Sequence, residues 1–169
     1  MNKILVAAVL PLLALSACGS DVDENADGTT ISADGTEMTF GNGEGETNMV
    51  ITGPDGEASF QSGPDVTPNL PDGWTIFPRA SILSAMNIDG VDQAGTVVVM
   101  QVDADIEDII AHYRAEAEAT EHKIQMELTT GNARIIGGEG PDGSSFSVSV
   151  VPDADGGPAT VQLTVGKGE

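Results

Sequence analysis

The stretch DADIEDIIAHYRAEAEATEH, residues 103–122, decides the fold, because it carries a sustained helical period. Ile106, Ile109, Ile110, Tyr113 and Ala117 fall at i, i+3, i+4, i+7 and i+11, one apolar stripe along an α-helix. Asp103 or Asp105 is placed to cap the free N–H groups at its start. Asp105, Glu107 and Asp108 also sit where the helix dipole is positive. A single helix with one apolar stripe has to lie on a sheet.

Working outward, the strands for that sheet stand on both sides of the helix. KIQMEL, ARIIGG, SSFSVSVV and TVQLTV follow it, and their alternation gives each an apolar face. Ile124, Met126 and Leu128 form one such set; Phe146, Val148 and Val150 another; Val161, Leu163 and Val165 a third. Gly131-Asn132, Gly140-Pro141-Asp142-Gly143 and Asp155-Gly156-Gly157 supply the turns, with Gly143 in the left-handed position after Pro-Asp. SILSAMNI and GTVVVMQV precede the helix, and the unbroken run Val97 to Met100 suits a strand buried on both faces. The order strand, strand, helix, four strands reads as α+β: an antiparallel sheet with one helix packed on one face. Residues 69–169 are enough for one modest core.

Residues 18–68 have a different character, rich in Gly, Asp, Glu and Thr. Short alternating runs (TTIS, TEMTF, TNMVIT, EASFQ) are separated by Asp34-Gly35, Asn42-Gly43 and Pro54-Asp55-Gly56, the pattern of β-hairpins. Each run offers one or two apolar side chains, against an ordering cost of about 1–2 kcal/mol per residue for the backbone. The segment is expected to be an acidic tether, either a loose hairpin ribbon leaning on the next domain or a partly disordered spacer.

The first residues read as an address. Lys3, an apolar run from Ile4 to Leu15 and then small residues have the layout of a secretory signal peptide, too short for a membrane-spanning helix. LSAC, residues 15–18, resembles the lipobox of bacterial lipoproteins and contains the only cysteine. The resemblance implies a signal peptide of residues 1–17, cleavage between Ala17 and Cys18, a diacylglycerol on the Cys18 thiol and an acyl group on the new amino terminus. Two or more acyl chains hold a protein stably on a bilayer, at about 0.8 kcal/mol per buried CH₂. It also implies a place in the bacterial cell envelope, facing the periplasm. Gly19 leans toward the outer membrane, since in that family's sorting rule aspartate there favours the inner one. Tyr113-Arg114 within IIAHYRAEAEAT is similar to the single-helix domains of envelope lipoproteins, in which Gly-Trp often precedes the next strand; here Glu121-His122 stand in that place.

Charge limits the partners. Net charge is −21, and loss of Lys3 with the leader leaves five basic residues against 27 acidic ones. Such a surface repels phosphate backbones and anionic headgroups. Nucleic acid is excluded as a partner, and the membrane is reached only through lipidated Cys18.

Four constellations could carry chemistry. From Asp23 the chain offers Asp23, Asn25, Asp27, Gly28 and, in the twelfth place, Asp34, an approach to the EF-hand calcium pattern. It lacks the flanking helices, and Asp-Gly recurs seven times as a general turn, at Asp27, Asp34, Asp55, Asp72, Asp89, Asp142 and Asp155. Weak divalent-cation binding by this segment is the alternative function. His112 with Asp108 and Glu116 at i−4 and i+4 could offer metal ligands, but that spacing equally describes a solvated helix face. Serines are plentiful, yet Gly-x-Ser-x-Gly is absent and both histidines fall in or beside a surface helix. The runs GNGEGE and IIGGEG lack the setting of phosphate cradles. Trp74 and Phe77 are expected to pack across the sheet edge, not to anchor a partner. The expectation is a non-catalytic interaction or structural module, no enzyme and no cofactor, with an envelope protein as partner.

Overall fold

The structure, a computed structural model, describes residues 20–25, 28–43, 46–63, 66–91 and 94–166. Among these, β1 (Ser20–Asn25), β2 (Gly28–Ala33), β3 (Thr36–Gly43), β4 (Glu46–Gly53), β5 (Gly56–Ser62), β6 (Ser81–Gly90) and β7 (Ala94–Val102) run up and down as a meander. α1 (Ile106–Ala119) then crosses over. A second meander follows: β8 (Lys123–Thr130), β9 (Ala133–Glu139), β10 (Ser145–Val151) and β11 (Ala159–Gly166). β11 pairs with β7, so both meanders join in one antiparallel sheet of order β1-β2-β3-β4-β5-β6-β7-β11-β10-β9-β8. The α+β class, with a single helix on an antiparallel sheet, is the one the sequence predicts.

The turns follow their residues. Asp34 (φ 50°) and Gly35 (φ 81°) both take positive φ between β2 and β3, as a two-residue type I′ turn requires. Gly143 (φ 81°) holds the left-handed position after Pro141-Asp142. β1–β5 are hydrogen-bonded into the sheet through β5 and β6, from Gly56↔Gly90 to Ser62↔Ser84.

The core lies on one face of the C-terminal half. Val98, Met100 and Val102 of β7, Val161, Leu163 and Val165 of β11, Phe146, Val148 and Val150 of β10 and Ile136 of β9 are buried there. α1 covers them with Ile109, Tyr113 and Ala117, and the segment 66–80 adds Trp74, with Leu70, Ile76 and Phe77 partly buried beside it. Burying a side chain of this kind contributes about 1.5–3 kcal/mol, so this half dominates stability. Buried Thr96 ties the covering segment down: its hydroxyl donates to the Asn69 carbonyl at 2.5 Å, and Asn69 N–H donates to Asn87 Oδ1 at 3.2 Å.

The opposite face has no second layer among the described residues. Directly opposed residues share a face, so the register traces two rows across it: Phe40, Met49, Phe60, Met86, Val97, and Ile31, Met38, Ile51, Ala58, Ile88. From β2 through β10, eight strands in sheet order, no described side chain on this face is charged. Glu37, Glu57 and Asp89 lie on the helix side, in one register row. The apolar side of the sheet therefore changes hands along its width. It faces α1 in β7, β11 and β10 and faces away from α1 in β2–β6, and β7 is apolar on both sides.

Three expectations need correction. Val98 and Met100 are buried, but Val97 and Val99 are only partly so, because nothing layers over their face. Ile124, Met126 and Leu128 do not share a face. The register slips between Ile124 and Met126, so Ile124 packs under α1 while Met126 and Leu128 point away, 47% and 48% exposed. Asp105 is the helix N-cap, yet its side chain makes no cap hydrogen bond; its carbonyl accepts from Asp108 and Ile109 N–H instead.

Candidate functional site

Polar groups converge where α1 ends. Thr120 closes the helix, Glu121 takes a left-handed backbone (φ 59°), His122 N–H bonds back to the Ala117 carbonyl at 2.8 Å, and Glu121 N–H to the Glu118 carbonyl at 3.2 Å. This is the Schellman arrangement, and it turns the chain sharply inward. His122 is consequently 9% exposed, its ring edge-on to Trp74 at 5.4 Å and to Phe146 at 5.6 Å. Its Nδ1 lies 2.9 Å from Thr120 Oγ1 and 3.0 Å from the Thr120 carbonyl. Its Nε2 lies 2.9 Å from the hydroxyl of Ser144, itself 8% exposed.

Serine and histidine at this distance invite a nucleophile reading. The third member decides its chemistry. Ser144 donates its hydroxyl hydrogen to Asp142, and Ser144 N–H donates to the same carboxylate oxygen at 3.1 Å. These two bonds, the hydroxyl one first, hold the Asp142 carboxyl below the usual range. The Ser144 hydroxyl hydrogen is engaged by Asp142, and Nε2 lies within hydrogen-bond distance of the same hydroxyl, the direction of that contact following the imidazole tautomer. The arrangement clips the end of α1 to the β9–β10 turn. A cleft of about 510 Å³ opens beside it, bordered by Pro71, Asp72 and Glu121.

The sequence places His122 apart from any serine. No local signal links residues 122 and 144. Only the β8–β9 hairpin does, since pairing of Lys123 with Glu139 sets the residue before one beside the turn after the other.

The second histidine serves the covering segment. His112 Nε2 lies 3.3 Å from Glu116 Oε1, and its ring packs edge-on against Phe77 at 5.1 Å. Glu116 also accepts the Thr75 hydroxyl and Thr75 N–H, the latter at 3.3 Å. Tyr113 completes the attachment by accepting Phe77 N–H at 3.2 Å and donating toward Met100 Sδ at 3.7 Å; burial pushes its phenol far above the usual range. Trp74 is fully packed against Phe146. Asp108 is exposed, and among the described residues no three His, Cys, Asp or Glu side chains converge to hold a metal.

A groove of about 310 Å³ runs between α1 and β8–β9, floored by Ile106, Ile110, Ala111, Ala115 and Ile136. Ion pairs bracket it, Arg134 to Glu107 at 3.2 Å and Arg114 to Glu127 at 3.0 Å. Of the EF-like set, the side chains of Asp23 and Asn25 and the whole of Asp27 lie outside the described residues, as do Ala17 and Cys18. Asn25 pairs with Gly28, and Asp34 follows the six residues of β2, about 20 Å from Gly28 at 3.3–3.4 Å per residue.

Apart from cleft and groove, the surface carries the face of β3–β7 turned away from α1, with no charged side chain among its described residues. Comparison of the chain with protein-family models, with curated proteins and with solved structures finds no match.

Proposed function

We propose that the protein is a lipid-anchored component of a bacterial cell envelope that faces the periplasm and works by contact, without chemistry of its own. One observation carries the contact role: a chain of net charge −21 leaves the face of β3–β7 turned away from α1 with apolar rows and no charged side chain among the described residues. Contiguous apolar surface of that extent marks an interaction site on a soluble domain.

The address rests on LSAC at 15–18 and on Gly19, which together favour the outer membrane. Cys18 stands two residues before β1, the edge strand opposite β8, so the lipid attaches at the end of the sheet farthest from α1. Ten strand spacings at about 4.8 Å separate the edges, roughly 48 Å along the sheet. The ribbon then acts as the spacer between bilayer and helix. Mass spectrometry of protein isolated from its native host tests the reading: the first residue should be Cys18, carrying diacylglycerol and an amide-linked acyl chain. An unmodified thiol, or residues 1–17 still attached, would remove the anchor.

A further inference from the structure

We propose that the uncovered face of β3–β7 is a self-association surface, on which two copies of this chain pack sheet against sheet about a twofold axis. The inference takes from the preceding reading only that the protein acts by contact; it needs nothing of the anchor, which the mass of Cys18 tests separately.

Three observations choose a second copy as the occupant. The first is the pattern of β7. Val97-Val98-Val99-Met100 is the uninterrupted run of a strand covered on both sides. Val98 and Met100 are covered by the layer of α1 and the segment 66–80, while Val97 and Val99 face out with Met86 and Ser84 as their neighbours. A second layer over that face gives the run the environment its composition fits.

The second is chemistry. Within β3–β7 the rows containing Met38, Met49, Ile51, Phe60, Met86 and Ile88 are apolar with no charged member, and a sheet face of this kind packs best on another like it, about 10 Å away. A twofold axis places the same uncharged face opposite by construction, whereas the rest of this anionic chain offers no such match. Anionic headgroups are repelled by the net charge of −21.

The third is area. Five to six strands at about 4.8 Å and four same-face residues at about 6.7 Å give a footprint of roughly 700 Å² per copy. Roughly 1,400 Å² in all lies within the range of stable interfaces.

The charge makes a further demand. Two copies of −21 repel, and the repulsion acts over distances that salt screens while the apolar contact is insensitive to it. The dimer therefore tightens as salt rises, the reverse of an interface built on opposite charges.

Sedimentation equilibrium of the full chain and of its Met86→Lys variant, at salt from about 0.05 to 0.5 M, tests the proposal. Met86 is 37% exposed in the single chain, so the variant keeps the fold, which the helical circular-dichroism signal verifies. Both proteins carry the same residues 1–19, so any association through that segment is common to both. The expected result is a dimer whose fraction grows with salt and which Met86→Lys abolishes at the same concentration. Peroxide oxidation read by mass spectrometry supplies an independent measure: Met38, Met49 and Met86 become protected as concentration rises, while Met126, exposed on β8 outside the patch, oxidises at one rate throughout. A monomer up to about 0.1 mM in high salt, well beyond the micromolar range that interfaces of this size reach, overturns the proposal. So does a dimer that Met86→Lys leaves intact, or methionine protection that depends on phosphatidylcholine vesicles or an added envelope fraction and not on the chain's own concentration.

Discussion

Glu121 shows how a single backbone angle governs the site. With φ at 59° it holds the position after a helix that glycine fills without a Cβ clash, and a non-glycine residue there gives up about 1–2 kcal/mol. Glycine would relieve that strain while loosening the unfolded chain by about 0.4–1 kcal/mol. Glu121→Gly should therefore raise stability by about 0.5–1 kcal/mol, seen as a higher urea midpoint at unchanged slope. Asp142 gives the pH-dependent counterpart. Its carboxyl is held low in the folded state by the Ser144 hydroxyl and N–H, so its stabilising contribution is complete above the ordinary aspartate value, about 3.9. The contribution fades as pH falls through the depressed folded value. The stability difference between the protein and Asp142→Asn should be constant from neutral pH to about 4.5 and shrink below about 3.9. A difference that instead grows on acidification would show that Ser144 does not hold the charged carboxylate.

Elements add constraints that single residues do not contain. Glu57 and Asp89 are directly opposed across β5 and β6, like charges where a cross-strand pair is felt most. Glu57→Lys turns that repulsion into attraction and should stabilise the ribbon by about 0.5–1 kcal/mol at low salt, with the gain fading at 1 M salt. The bulge in β8 works at the same scale. Gly138 faces it with no room for a side chain, since a Cβ there would lie 2.0 Å from the Lys123 carbonyl oxygen. The slip brings Ile124 under α1 and turns Met126 and Leu128 outward, an outcome that period-2 alternation in KIQMEL does not contain. Asp34-Gly35, by contrast, was legible as a hairpin turn because its two positive φ angles are a property of the dipeptide.

The whole molecule is unevenly stabilised. β7, β11, β10 and β9 share a core with α1, while none of the described residues of β3–β5 is fully buried. Local opening follows buried contact, so the two halves should open with different free energies. Native-state hydrogen exchange in dilute solution should show amides of β10 and β11 exchanging only with global unfolding and those of β3 and β4 well before it. Equal protection across all strands would mean that the ribbon draws on stabilisation that a single chain does not provide.

The sequence by itself determined the class, the helix, most strands and their turns. Each of these rests on period, capping and turn chemistry within a few residues, where covalent neighbours set the geometry. It also carried the lipobox resemblance, because that motif is read as a linear string. Only the tertiary structure decided that β11 joins β7, that His122 meets Ser144, and that the apolar side of the sheet changes from the helix face to the bare face at β7. Those outcomes depend on which strands become neighbours, and alternation along one strand defines two faces without saying which one another element will cover.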